Sequence, residues 1–484
     1  MYPMKAINPD AQSFPVMPYT QKGERLLRNL IRAYKPLYWL KKNTWRKPLP
    51  NFEENPRLSP YKGAAYLGYK YYIAPPVEAQ GNLEEHFRSQ TLDFTPSPAF
   101  MPESRITLTA GGDLMPYERV NPAATQHLWD EVGEWFFGAD LVVANLETPI
   151  DTDKPASAVP EVMLNDMHFN GSDEMFSIFS GNGSYKGYDL LCTANNHSLD
   201  QGEEGVFKTI EFLKKKKVAH VGTATDAKEA EEPPILERNG IRVAFLSWTS
   251  NLNKFETEPG KEWLANYERL NRPEADLSSI RTQVKNVRQR GADLVVFLFH
   301  TGNAYQAYPS AHTVEIYHRV FRECGVDIIL GSHPHNPQPM ERVDFTDPFS
   351  GEKKAGFAIY SLADFVAYDI FVWDRLVPLL KLTIEKGSEQ GVPKTLLTNV
   401  QVLPVYNWGA KPGQPDEMRF LDLKKTARLV QDGLVPEFMS PLCVKELRHL
   451  NWFCDRHFLP RQADHLLAVT EASYPFLDKN SSHS

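Results

Sequence analysis

Six side chains of types suited to metal binding recur in this sequence where a short apolar run gives way to a loop. Ile106 to Ala110 runs into Gly111-Gly112-Asp113, Leu141 to Ala144 into Asn145-Leu146-Glu147, and Leu190 to Ala194 into Asn195-Asn196-His197 with Asp200 and Gly202 beyond. A fourth run ends at His300-Thr301-Gly302, and a fifth, Asp327 to Leu330, passes into Gly331-Ser332-His333-Pro334-His335. Singly, each has a plainer reading: Gly-Gly-Asp as a tight turn, Glu147 as an N-cap or surface pair, Asn195 and Asn196 as an Asx turn, and His300 as a satisfied core histidine. Together, Asp113, Glu147, Asn196, His300, His333 and His335 offer two carboxylates, an amide oxygen and three imidazoles. That donor set suits zinc, manganese or iron. Two such ions about 3.5–4 Å apart would need a bridging carboxylate, would keep a net positive field for an anionic substrate, and would activate water for hydrolysis.

The elements that must position these donors follow from the texture of the chain. From Arg105 onward, β-branched runs alternate with helical patterns, the signature of a layered α/β domain, in which functional groups gather at strand ends. Expected strands are Ile106 to Ala110, Leu141 to Asn145, Leu190 to Ala194, Arg242 to Ser247, Leu294 to His300, Asp327 to Leu330 and Phe357 to Ser361. Expected helices are Glu204 to Lys217, Leu277 to Arg290 and Thr313 to Cys324. Two later apolar runs, Val377 to Ile384 and Thr398 to Val405, lack an intervening helix and read as an antiparallel pair at the sheet edge.

Residues 1–104 read as an extension, with a basic amphipathic helix built on Leu26, Leu27, Leu30, Ile31 and Tyr34 that ends before Pro36. Docking of that helix on the core is favoured over a membrane or polymer contact. Residues 105–409 form the core. Residues 410–484 form a C-terminal extension, opening on a linker at 411–416, continuing as a helical tail packed on the core through Leu421, Leu423, Leu429, Val430, Leu447, Leu450 and Phe453, and fraying over 480–484.

Composition narrows the classes. A formal charge of -8 gives no general attraction to nucleic acid. Four scattered cysteines, Cys192, Cys324, Cys443 and Cys454, read as buried free thiols rather than a zinc or disulfide framework. Met1 to Ser13 carries no apolar run of a secretory signal, and no stretch reaches the ~20 apolar residues of a membrane span, so the chain reads as cytoplasmic, with peripheral membrane association left open.

In family order, the runs Gly112-Asp113-Leu114-Met115, Asn145-Leu146-Glu147, Ala194-Asn195-Asn196-His197 with Asp200 and Gly202, His300 with Gly302, Gly331-Ser332-His333-Pro334-His335 with Gln338-Pro339, and Tyr360-Ser361-Leu362 resemble the motifs of the CapA family of capsule proteins. The resemblance covers roughly residues 105 to 370. It implies a calcineurin-like metallophosphoesterase fold, a layered α-β-β-α sandwich, and a part in poly-gamma-glutamate capsule synthesis or export with capsule-synthesis partner proteins.

It also implies one or two divalent ions (Mn, Zn or Fe) on the six donors, with Glu147 in the bridging place and His197, beside Asp200, as general acid. Asn195, Tyr305 and Asp364 are the candidates for substrate contact. The chain departs from the family at His300-Thr301-Gly302-Asn303-Ala304-Tyr305, where His-Trp-Gly and then Glu-Tyr are usual. Ala363-Asp364 replaces a Gly-Asn pair, and Met115 stands where a phosphoesterase commonly has a second histidine ligand. Two readings of function follow: a metal-dependent hydrolase of a phosphoester or γ-glutamyl amide, and a non-catalytic subunit that binds an anionic polymer.

Overall fold

The computed structural model describes residues 21–49, 60–159, 162, 167–270, 274–369, 371–410 and 416–471. The expected fraying of 480–484, the linker at 411–415 and the reading of Met1 to Ser13 lie outside them. Two sheets face each other. The first has seven strands, in spatial order Met418–Asp422, Val392–Gly409, Leu376–Glu389, Phe100–Leu114, Leu141–Leu146, Leu190–Cys192 and Ala219–Val221, and the second six, in the order Ile235–Arg238, Ile241–Thr249, Leu294–His300, Ile328–Ser332, Lys353–Leu362 and Pro337–Thr346.

In the first sheet, β1 (Phe100–Leu114), β2 (Leu141–Leu146), β3 (Leu190–Cys192) and β4 (Ala219–Val221) run parallel. β11 (Leu376–Glu389), β12 (Val392–Gly409) and β13 (Met418–Asp422) complete it antiparallel. In the second, β6 (Ile241–Thr249), β7 (Leu294–His300), β8 (Ile328–Ser332) and β10 (Lys353–Leu362) run parallel, flanked by β5 (Ile235–Arg238) and β9 (Pro337–Thr346).

The apolar pattern dictates this layering. On β1 and β2, Leu108, Ala110, Leu141 and Val143 join the core between the sheets, while Val142, Ala144 and Leu146 belong to a second cluster behind the first sheet. That cluster includes Phe136, Phe137, Phe176, Phe179, Phe212 and Leu213, carried by the helices Gly133–Phe137, Asp173–Phe179 and Gly202–Lys216. Every residue of β7 is buried, as in a parallel strand covered on both faces. Helix Ser278–Gln289 seals the outer side through Ile280, Val284 and Val287. The expected α-β-β-α sandwich is therefore observed.

Four readings change. Gly111 and Gly112 form no turn: β1 continues through them to Leu114. A Cβ on Gly112 would lie 1.8 Å from the Ala363 carbonyl oxygen, and one on Gly111 2.4 Å from the Phe365 ring, so the glycines serve close approach of neighbouring chain rather than chain reversal. The antiparallel pair β11 and β12 lies inside its sheet rather than at the edge, because Met418–Asp422 adds a further strand. Thr313 to Cys324 is not one regular helix: Ala311–Arg319 is α-helical and Val320–Cys324 widens into a π-turn.

Finally, the N-terminal helix runs Gln21–Lys41 through Pro36, whose exposed position keeps its ring in solvent while Lys42 N–H to the Tyr38 carbonyl (2.9 Å) continues the ladder beyond it. Ile31 is buried, and the Tyr34 ring occupies the place a Cβ on Gly68 would take. All four cysteines are buried and free. Among the described residues, no helix is long and apolar enough to cross a membrane.

Candidate metal centre

Because β1 to β3 and β6 to β8 are parallel within their sheets, the loops that leave them gather at strand ends. Asp113 lies in β1, Glu147 just past β2, Asn196 four residues past β3, His300 at the end of β7, and His333 and His335 just past β8. The sheets are tied together here: Asp113 N–H donates to the Ala363 carbonyl (2.9 Å), and Phe365 N–H to the Asp113 carbonyl (2.8 Å).

The six predicted donors converge. Ligand-type atoms of Glu147, His300 and His333 lie within 4.8 Å of one another, and so do those of Asp113, Glu147 and His335. Glu147 is common to both trios, the position a bridging carboxylate takes. His300 Nε2 is 2.7 Å from Asn196 Oδ1 and 3.5 Å from Glu147 Oε1, which places the amide oxygen beside the first trio. The His300 and His333 rings are 4.9 Å apart, centre to centre.

Partner groups fix these donors from behind. His300 Nδ1 meets Ser332 Oγ at 2.9 Å, and His335 Nδ1 meets Asp364 Oδ1 at 2.9 Å, leaving Nε2 of each ring toward the centre. Asn145 Nδ2 donates to Asp113 Oδ1 (2.8 Å), and His333 N–H to Asp113 Oδ2 (3.3 Å). His333 and His335 hold φ values of +96° and +63°, backbone strain of the kind that persists where surrounding structure enforces it.

What the donors lack is as informative. Both oxygens of Glu147 and both ring nitrogens of His333 are buried without a hydrogen-bond partner among the described residues. Each buried polar group so abandoned costs about 1–3 kcal/mol. A cation among them would take up the Glu147 oxygens and one nitrogen of His333, so the residues present fit a metal.

The electrostatics agree. Burial, then the Asp113 charge, pushes Glu147 well above the usual carboxylate range, and burial raises Asp113. Burial and the neighbouring imidazoles hold His300 well below its usual value and His333 at about 3. His335 differs: burial pulls it down, but the Asp364 and Asp113 carboxylates outweigh that and carry it to about 9.

His197 Nδ1 lies 2.6 Å from Asp200 Oδ2, and Phe169 stacks on the imidazole at 4.0 Å. The Phe169 N–H also donates to Asp200 Oδ2 (2.7 Å), fixing the carboxylate.

The expected substrate contacts fare differently. Asn195 is spent inside the fold: its Nδ2 donates to the Leu146 carbonyl (2.8 Å) and its Oδ1 accepts from His197 N–H (3.1 Å), the Asx turn that its type allows. Asp364 reaches the site, but as the partner of His335 rather than as a group presented to substrate. Tyr305 stacks on the His335 ring at 5.5 Å. Met115 is buried in the apolar cluster behind the first sheet, away from a ligand's role. Sequence reasoning missed Asn145 and Ser332 as orienting groups; an amide ending an otherwise apolar strand was the available signal for Asn145.

A second set of metal-type donors, His86, His318 and Glu341, also lies close together. Here every donor is engaged: His86 Nε2 meets Glu341 Oε2 at 2.6 Å, His318 Nε2 meets Oε1 at 2.8 Å, and the Tyr360 hydroxyl also donates to Oε1.

A two-sheet α/β sandwich with donors from both sheets converging at strand ends defines a candidate metal-binding domain. The profile of the family described as bacterial capsule synthesis protein PGA_cap matches residues 107–369, more than half of the chain, and the chain belongs to that family. Capsule biosynthesis protein CapA of Bacillus anthracis is 27% identical over 270 residues, covering 54% of this chain and 60% of that protein. PGA biosynthesis protein CapA of Bacillus subtilis (strain 168) is 24% identical over 277 residues, covering 56% and 66% respectively. The chain thus spans less than two thirds of the length of either relative. Among solved structures, the calcineurin-like phosphoesterase YfkN from Bacillus subtilis aligns with 14% identity and a TM-score of 0.31 over 62% of this chain and 91% of that one.

Proposed function

We propose that this capsule-synthesis family member is a metal-dependent hydrolase whose substrate is an anionic phosphoester or a γ-glutamyl amide. The observation that carries the reading is Glu147, buried, shared by two donor trios and without a hydrogen-bond partner at either oxygen among the described residues. Asp113, Glu147 and His335 would hold one divalent ion, and Glu147, Asn196, His300 and His333 a second. Manganese, zinc and iron fit the donors. Such ions supply Lewis-acid polarisation, activate water and favour an anionic substrate.

The chain's own groups do the rest. Asp200 holds His197 through Nδ1 and Phe169 clamps its face, so Nε2 is left as the atom that exchanges a proton with the leaving group. The names of the relatives, a capsule and a PGA biosynthesis protein, support a polyglutamate-related substrate.

The test is a screen of phosphomonoesters, phosphodiesters and γ-glutamyl peptides with the metal-loaded protein. His197→Ala should lower kcat by about 10²–10⁴-fold while leaving metal content unchanged. Tight polyglutamate binding with no turnover of any substrate would instead support the polymer-binding reading.

A further inference from the structure

A helix outside the family-matched residues is built into the wall of the metal centre. Helix Pro60–Tyr72 carries Lys70 and Tyr71 in its last turn, both buried. The Lys70 ammonium donates to the carbonyl oxygen of Ala304, and it lies 4.8 Å from the Tyr66 ring centre. Tyr71 sets its ring against Tyr305, 4.8 Å between centres at 61°, and its hydroxyl donates to Asp369 Oδ1 (2.6 Å). Asp369 is itself fixed by the Tyr117 hydroxyl (2.7 Å) and the Phe371 N–H (2.8 Å). The helix therefore grips two consecutive residues, Ala304 and Tyr305, of the loop that leaves the candidate ligand His300.

Tyr305 in turn lies flat on His335, 5.5 Å between ring centres at 21°. Its φ of +57° and its N–H bond to the Pro334 carbonyl (3.1 Å) set the ring there. This contact reinforces what Asp364 does. The ring turns only about its Cβ–Cγ bond, and the hydrogen bond at Nδ1 opposes that turn. A ring stacked on its face opposes it further, because turning would drive the imidazole edge into Tyr305. The trio Asp113, Glu147 and His335 has one imidazole where the other trio has two, so its affinity depends more on how well that imidazole is held.

We propose that Lys70 and Tyr71 are positioning residues of the metal centre: the N-terminal helix holds Tyr305 against His335 and so sets the affinity of the Asp113, Glu147 and His335 position. The proposal rests on the metal reading above. The test is calorimetric titration of Mn²⁺ into the metal-free full chain, with His335→Ala used to assign the step belonging to its position. Tyr71→Leu should weaken that step by about 10-fold, the low end of what loss of an orienting partner costs, and leave the other step unchanged. Lys70→Met should act on the same step, and Tyr71→Phe, which keeps the ring, should retain most of the affinity.

Circular dichroism checks that each variant folds; if Tyr71→Leu does not, Lys70→Met carries the test through the same single-step loss. A wild-type chain that takes up no Mn²⁺, or whose binding His335→Ala does not alter, overturns the metal reading and the proposal with it. Two wild-type steps that stay unchanged in the folded Lys70→Met and Tyr71→Leu variants overturn the proposal alone.

Discussion

Two clusters in this molecule combine carboxylate and imidazole, and they are built to opposite ends. Around Glu341 every donor meets an acceptor: His86, His318 and the Tyr360 hydroxyl converge on one buried carboxylate. Around Glu147 the buried oxygens have no hydrogen-bond partner among the described residues, and neither do the nitrogens of His333. Burial alone would push Glu341 up, but those hydrogen bonds carry it down to about 2, whereas Glu147 is driven well above its usual range. The first arrangement is complete as a protein. The second leaves buried groups without hydrogen-bond partners, which a cation would take up, so partner state rather than donor type separates the two clusters.

The largest effect that would sharpen this contrast is on metal affinity. Glu147→Ala should weaken binding at both positions, each by more than the roughly 10–100-fold that loss of an orienting partner costs, as read by calorimetry. His86→Ala and His318→Ala should leave both unchanged; loss of metal from either would break the comparison. Next, Asp364→Asn should lower affinity about 10–100-fold at the His335 position alone.

Stability comes third, with opposite signs in the two clusters. In metal-free protein, Glu147→Leu should stabilise and Glu341→Gln destabilise, each by about 1–3 kcal/mol, measured by urea unfolding. The first removes a buried carboxyl group that lacks a hydrogen-bond partner among the described residues; the second replaces one accepting oxygen by an amide NH2 that cannot accept.

The smallest effect is on pH dependence. Glu341 is depressed, so its share of stability is present above pH 4.5, its unperturbed value, and fades as pH falls toward about 2. His86 is raised by its hydrogen bond to Glu341, so its share is complete below pH 6.5 and is lost as pH rises through its elevated pKa. The melting-temperature difference between wild type and Glu341→Gln should therefore be greatest between these limits and shrink on either side. A flat difference from pH 3 to 9 would contradict the account of this cluster.

The sequence made the site legible because a parallel sheet puts its loops at one end, so polar residues following apolar runs could be read as neighbours. β7 was read residue for residue, since Leu294 to His300 is uniformly apolar until the histidine. What stayed hidden depends on tertiary contact. Gly111 and Gly112 looked like a turn because nothing local announces that the Ala363 carbonyl and the Phe365 ring press on them. Strand Met418–Asp422 was masked by the helical pattern around it, and its pairing with β12 depends on residues that only folding brings together. Asp364 and Asn195 had the right types for substrate contact, but the first is engaged by His335 and the second by Leu146 and His197. The Glu341 cluster escaped notice because His86 lies 255 residues from Glu341 in the chain, with no motif to join the members.

Elemental analysis of the wild-type chain beside Glu147→Ala and His86→Ala, each purified after growth with manganese, zinc and iron, tests the central claim most directly. Bound transition metal in wild type and His86→Ala, and its loss in Glu147→Ala, is the expected result. A wild-type chain without metal, or a Glu147→Ala chain that retains the full complement, would contradict it.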